Sequence, residues 1–314
     1  MIIKPIYPFE PVSSSSVPSG EDWISQIKWD GTRILTYFDG KEVKLYNRKH
    51  NERTMHYPEL TDVTSYCKAK SVILDGEVIA LGKNGQPSFH EVMRRDAIRR
   101  MDRVPQLMKT VPVYYMIFDI VFYNNKWVNE KPLNERMELL KKVVTPNKQV
   151  QLTTIHEDGE TLFEVTKEKG MEGIVSKNIR SIYKLKGKDD NWQKIKNFQD
   201  VIAVVGGVTY RNSTVNSLLL GLYDENGTFY YVGHAGTGKL TQNDWRTITT
   251  FVEALITDER PFANEPERLN GTKWIEPKLT VKIKYIEWPE GRSIRQPSIQ
   301  AFVDVPPKEC ILPN

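Results

Sequence analysis

Lys28-Trp29-Asp30-Gly31-Thr32-Arg33 joins two short strand-like runs, Ser25–Trp29 and Ile34–Phe38. Its Asp-Gly pair lets the backbone turn sharply beside an amine at a strand end. Alone, a Lys-x-Asp-Gly tetrapeptide describes a surface turn with a solvated lysine as well as it describes a site. Further stretches change that reading. Asn47-Arg48-Lys49 ends a strand-like run, and Asp75-Gly76-Glu77 lies inside an apolar strand with both carboxylates on one face. Glu172-Gly173-Ile174-Val175-Ser176-Lys177 opens another strand with a carboxylate. Lys194-Ile195-Lys196 puts two ammonium groups on one strand face and Ile195 on the other.

Together these are the residue types that nucleotidyl transfer through a lysine requires. The attacking amine must be neutral, and neighbouring cations press its pKa toward that state. A divalent metal held by a carboxylate offsets phosphate charge during in-line attack. Positive side chains then hold the phosphates in place.

Around these stretches the chain reads as α+β in two domains, residues 1–197 and 198–314. The first twenty residues, with Ser13-Ser14-Ser15-Ser16 and several prolines, read as an extended arm. Val43–Tyr46 is a strand joined to Ile34–Phe38 by an Asp39-Gly40 hairpin turn. Ser71–Leu81 reads as a strand pair, and Val111–Tyr123 as a buried strand rich in β-branched and aromatic residues. Helical patterns cover Phe89–Met101, the run Leu133, Met137, Leu140 and Val144 with Asn134 as a cap, and Glu160–Lys169 stopped by Gly170. Strands return at Gly173–Lys177 and Trp192–Lys196. Beyond Asn197, Val201–Val208, Ser217–Tyr223, Thr228–Val232 and Leu279–Trp288 read as strands, with a helix near Asn243–Ile256. Several short strands with one helix suit a small OB-fold β-barrel.

Hydrophobic residues make up 39% of the 314 and charged residues 27%, a globular composition. The longest apolar stretch, Val111–Tyr123, is broken by Asp119 and is too short to cross a bilayer. Two cysteines, Cys67 and Cys310, cannot make a disulfide framework or a four-thiolate zinc site, and the five histidines lack ligand spacing. The excess of 44 Lys+Arg over 40 Asp+Glu permits a nucleic-acid partner without establishing one. No charged-then-apolar leader opens the chain, which points to a reducing, cytoplasmic setting.

The order and spacing of the charged stretches resemble the ATP-dependent DNA ligases of the covalent nucleotidyltransferase superfamily, over nearly the whole chain. The resemblance implies a nucleotidyltransferase (adenylation) domain of antiparallel sheets with flanking helices, followed by an OB-fold domain. It implies that Lys28 carries AMP through a phosphoramidate, that Arg33 lies near the ribose and the nick, and that Arg48 grips the 5′-phosphate. Glu77 is implied to bind the nucleotide ribose, and Phe118 of Ile117-Phe118-Asp119 to stack on adenine. Glu172 is implied as the metal-binding carboxylate, with Lys194 and Lys196 on the α-phosphate. Ser217-Leu218-Leu219-Leu220-Gly221, Tyr231-Val232-Gly233, Tyr285-Ile286-Glu287-Trp288 and Ile294-Arg295-Gln296-Pro297-Ser298 resemble the OB domain of bacterial end-joining-type ligases. The implied partners are ATP, magnesium or manganese, and nicked duplex DNA. The implied setting is a monomer near the nucleoid of a bacterium or phage-infected cell, closing on DNA about a hinge before Asp200.

Two departures stand out. Gln26 occupies the adenine-contacting position two residues before Lys28, where many relatives carry Glu. An amide both accepts and donates, so looser base discrimination is expected. The final Arg-x-Asp-Lys motif is replaced by Phe302-Val303-Asp304-Val305-Pro306-Pro307-Lys308, so either Arg292, Arg295 or Lys308 orients the leaving pyrophosphate or self-adenylation is slow. This leaves open an RNA ligase, a capping-type nucleotidyltransferase, or a nick-binding protein with weakened self-adenylation. Gly233-His234-Ala235-Gly236-Thr237-Gly238-Lys239 has P-loop spacing, but Leu240 follows where Ser or Thr is needed, so it reads as a glycine-rich turn. The basic run Arg94–Arg100 is either a DNA-facing patch or a solvated helix face.

Overall fold

The computed structural model describes residues 4–83, 85–267, 269–288, 291 and 293–313. The chain divides between Asn197 and Phe198 into two compact units. Among the described residues, the first contains β1 (Glu10–Ser13), β2 (Trp23–Ile27), β3 (Thr32–Phe38), β4 (Val43–Asn47), β5 (Val72–Ala80), α1 (Phe89–Asp96), α2 (Val104–Thr110) and β6 (Val113–Tyr123). It continues through β7 (Lys126–Trp127), α3 (Leu133–Val143), β8 (Val150–Leu152), α4 (Gly159–Glu168), β9 (Gly173–Asn178) and β10 (Lys188–Lys196). One sheet runs β4-β3-β5-β6-β7 with β8 beside β6, and the other runs β1-β10-β9-β2.

Alternation along the strands feeds separate cores. Ile34 of β3 packs with Leu45, Leu74, Val92 and Leu140, whereas Leu35 and Tyr37 pack with Ile24 of β2 and Trp192 of β10. The second of these cores therefore fills the space between the two sheets. Ile174 of β9 and Ile195 of β10 face the opposite way, onto Leu162 of α4. Each such fully buried aliphatic side chain contributes roughly 1.5–3 kcal/mol. With Ile195 turned outward, its neighbours Lys194 and Lys196 stand on the face toward the larger sheet.

Several local expectations change. The N-terminal arm contains a strand, β1, paired in parallel with β10 so that Glu10 lies opposite Lys188. Its partner is far along the chain, beyond the reach of local pattern. Ser71–Leu81 holds one strand, β5, because Gly76 sits in mid-strand opposite Ile117 and makes no turn. The helix from Phe89 ends at Asp96, and α2 follows it with Pro105 in its first turn. Asn134 lies inside α3, where its side chain accepts from the Glu135 N–H; the cap position is Pro132. The Asp39-Gly40 turn forms as read, Asp39 Oδ1 accepting from the Lys41 and Glu42 N–H groups at 2.9 Å.

The second unit contains β11 (Gln199–Arg211), β12 (Thr214–Tyr223), β13 (Phe229–Ala235), α5 (Gln242–Glu253), β14 (Ile256–Thr257), β15 (Thr272–Tyr285) and β16 (Ser298–Val303). Strands run β13-β12-β11-β15-β14, with β16 on β15, and a Gly238–Ile299 bridge brings the chain after β13 back to β16. This is the OB-type barrel. The P-loop-like segment ends β13 and turns, with the Lys239 N–H donating to the Ile299 carbonyl, before a Thr241–Asp244 capping box opens α5. No helix among the described residues is long and apolar enough to cross a membrane.

Candidate active site

Residues 28–31 carry the chain from β2 of one sheet to β3 of the other, and Lys28 opens that connection. Gly31 is required there, since a Cβ would stand 2.1 Å from the Val78 carbonyl oxygen. The Lys28 N–H donates to the Gly173 carbonyl, which fixes the start of β9 and hence Glu172. Gly173 itself has φ +135°, and a Cβ there would meet the Ile195 oxygen at 2.1 Å. These close approaches bring Lys28 Nζ to 2.6 Å from Glu172 Oε2, with Lys196 Nζ 3.1 Å from Oε1.

Glu172 is buried. Burial pulls its pKa upward, but Lys28 and Lys196 outweigh it and hold the carboxyl below the ordinary glutamate range. Lys194 is depressed by burial and by Lys196, Lys188 and Lys28. Glu77, on β5 opposite Arg33, is pushed up to about 8 by burial, against the pull of Lys28 and Arg33. A carboxyl in that range is protonated at neutral pH and can donate as well as accept a hydrogen bond.

Arg33 leans diagonally across the sheet onto Asp75. Its Nε and Nη2 donate to the two carboxylate oxygens at 2.9 and 2.6 Å, and the Tyr183 hydroxyl donates to Asp75 Oδ2 at 2.6 Å. The guanidinium carbon lies 5.3 Å from the Phe118 ring centroid. Lys177 is 3% exposed, with Nζ 4.4 Å from the Phe118 centroid and 4.1 Å from that of Trp192. Burial lowers its pKa to about 7, despite Asp119 and Asp75 nearby. Gln26 is buried on β2, its Nε2 donating to the Thr153 carbonyl at 3.2 Å.

Lys28, Glu172 and Lys196 thus meet directly, Arg33 and Phe118 meet beside them, and Glu77 joins through its strand pairing and charge. Arg48 does not join the cluster. It follows β4 in a loop organised by Asn47 Oδ1, is 61% exposed at its side chain, and has Glu10 at 3.9 Å.

The family model described as "ATP dependent DNA ligase domain" matches residues 11–196, which include Lys28, Arg33, Arg48, Glu77, Phe118, Glu172 and Lys196. The chain belongs to the ATP-dependent DNA ligase family. The C-terminal region of the same ligases matches residues 211–304. The chain is 28% identical over 303 residues to a DNA ligase of Thermococcus onnurineus, covering 90% of itself and 52% of that protein. It is also 28% identical over 297 residues to the multifunctional non-homologous end joining DNA repair protein LigD of Mycobacterium tuberculosis, covering 92% and 37%. Thus it spans about half or less of these curated relatives' length. A solved mycobacterial DNA ligase D, complexed with ATP and MES, matches with a TM-score of 0.55 and 25% identity over 98% of each chain.

The sequence alone did not single out Tyr183, Lys177 or Thr153. Lys177 carried a usable signal, because it shares a strand face with Val175, two residues away. Tyr183 and Thr153 lie in irregular segments and carried none. The basic run resolves into separate roles: Arg95 is buried against Glu59 and the His56 and Val111 carbonyls, while Arg94 and Arg100 pair with Glu91 and Asp102 at the surface. Of the residues considered for the missing last motif, Arg292 lies outside the described residues, Arg295 pairs with Glu287 at 3.3 Å, and Lys308 is exposed on a short 3-10 turn.

Proposed function

We propose that this chain is an ATP-dependent DNA ligase that seals 5′-phosphate/3′-hydroxyl nicks in duplex DNA. The observation that carries the reading is the Lys28–Glu172–Lys196 contact beside Arg33 and Phe118, inside the ligase-matching region. Lys28 Nζ, after losing a proton, attacks the α-phosphorus of ATP; a P–N bond forms, the α–β P–O bond breaks and pyrophosphate leaves. The 5′-phosphate of the nick then displaces Lys28 from AMP, forming a P–O bond and restoring the amine. Finally the 3′-hydroxyl attacks that 5′-phosphorus and AMP departs.

Phe118 stacks on adenine, Glu77 binds the ribose, and Arg33, held by Asp75, lies along the ribose and the nick. Lys194 and Lys196 hold the α-phosphate, and exposed Arg48 takes the 5′-phosphate of DNA. Among the described residues, no group of three or more His, Cys, Asp or Glu could cage a metal. A magnesium or manganese ion arriving with the triphosphate fits better, since such ions take one carboxylate and complete their shell with phosphate oxygens and water. Glu172 would hold it, and it would supply charge neutralisation on the phosphates.

A monomer working near the nucleoid suits this reading. For the missing last motif two readings stand: Arg292, Arg295 or Lys308 takes over the leaving-group role, or self-adenylation is slow. The test is sealing of a labelled nicked duplex with ATP and magnesium, with a nicked RNA duplex in parallel. Sealed DNA supports the reading, sealed RNA alone redirects it to RNA, and no sealed product refutes it.

A further inference from the structure

The hydroxyl of Thr153 is buried and, among the described residues, has no hydrogen-bond partner. A buried hydroxyl without a partner is costly, and such groups persist where a ligand satisfies them. The position of Thr153 indicates which ligand. Its N–H donates to the Ile117 carbonyl at 2.8 Å, next to Phe118, and its own carbonyl accepts from Gln26 Nε2 at 3.2 Å. Val150 and Leu152 of β8 pack into the core that holds Ile117, so by alternation Thr153 lies on the opposite face, that of Phe118. Thr153 is therefore fastened between the proposed base platform and the residue two before the nucleophile.

The bond from Gln26 has a second consequence. A carbonyl only accepts, so the amide must present its nitrogen to Thr153, and its oxygen is the opposite end. That oxygen accepts from an exocyclic amine and repels an exocyclic oxygen. Adenine offers the 6-amino group as donor and N1 as acceptor; guanine offers O6 as acceptor and N1–H as donor.

We propose that Thr153 is a specificity-determining residue of the nucleotide site, its hydroxyl donating to N1 of adenine while the Gln26 oxygen accepts from the 6-amino group. This rests on the proposed adenylation of Lys28 and deepens it. Guanine would require the Gln26 amide to flip and give up its bond to the Thr153 carbonyl. The looser discrimination expected of Gln26 is thereby restored by its neighbour.

The experiment uses the full chain, first treated with pyrophosphate to remove any bound adenylate. The parent, Thr153→Val and Thr153→Ser are incubated with ATP or 1-deaza-ATP, which lacks the N1 acceptor, and covalent nucleotide is followed over time by intact mass. The parent should prefer ATP about tenfold in kcat/KM, the size of one buried hydrogen bond. Thr153→Val should lose that preference, with ATP falling to the parent's level on 1-deaza-ATP, and Thr153→Ser should keep it. Valine fills the same volume, so a purely structural loss would depress both nucleotides equally and leave the ratio unchanged. An unchanged ratio in Thr153→Val overturns the inference while leaving Lys28 adenylation standing. A parent that takes up nothing from ATP overturns the proposed function and this inference together.

Discussion

Glu172 lies between two amines, Oε2 accepting from Lys28 at 2.6 Å and Oε1 facing Lys196 at 3.1 Å. One carboxylate thereby positions both the proposed nucleophile and a proposed phosphate-binding cation. Glu172→Gln keeps the shape and removes the charge. Self-adenylation should fall by about 100-fold or more, the scale seen when a preorganised charge-stabilising group is removed. Unfolding free energy should drop by about 1–3 kcal/mol, as two cations lose their partner. Single-turnover adenylation at the parental rate would exclude Glu172 from the chemistry.

Asp75 is fully buried and is held by both Arg33 and Tyr183. Asp75→Ala leaves the Arg33 guanidinium without its counter-charge and should cost about 3–5 kcal/mol. Tyr183→Phe deletes one hydroxyl and should cost about 1–2 kcal/mol. Both changes break the same bond, so the double variant should lose less than the sum. Urea unfolding of the three variants checks this, and strict additivity would show that the two residues act apart.

Lys177 gives stability a pH dependence of known sign. Burial lowers its pKa to about 7 in the folded chain, from an ordinary lysine value of 10.5 when unfolded. Between those values the unfolded chain binds more protons, so stability from this group rises with pH across the window and is flat below it. Lys177→Met should abolish the rise. Urea midpoints for parent and variant, compared at about pH 7 and about pH 9, decide the matter. The same rise in both would assign it elsewhere.

Glu77 acts in the opposite direction. Burial raises its folded value to about 8, above the ordinary glutamate value of 4.5, so the folded chain binds the extra proton between them, and stability falls as pH rises through that range. Glu77→Gln should flatten the fall. A variant as pH-sensitive as the parent would show that Glu77 is ionised in the folded protein.

Most of the strands and the proposed catalytic lysines were legible in sequence because alternation is a local property. Lys194-Ile195-Lys196 fixes two faces within three residues, and Ile195 does bury against Leu162 as its position requires. Likewise Asp75 and Glu77 stand on one face, with Arg33 directly opposite Glu77. What could not be read depends on partners distant along the chain. β1 is a strand only because β10 lies beside it, and Asp75 is a structural carboxylate only because Arg33 and Tyr183 converge on it. Arg95 looked like its surface neighbours until burial against Glu59 distinguished it. Thr153 has no pattern of its own; its importance lies in the bond from Gln26.

Arg48 stands outside the lysine cluster and is exposed, with Glu10 at 3.9 Å. Arg48→Ala should leave adenylation of Lys28 unchanged and impair transfer of AMP to a nicked duplex by about tenfold or more. If Arg48 contacts a DNA phosphate, the salt dependence of nick binding should become shallower by about one charge. A variant impaired in the first step but not the second would reverse this assignment.

Covalent adenylation of Lys28 is the claim on which the rest depends, and intact mass measures it directly. Protein cleared with pyrophosphate and then given ATP and magnesium should gain one adenylate, and Lys28→Ala should gain none. A cleared parent that stays unmodified, or a Lys28→Ala variant that still gains AMP, would contradict it.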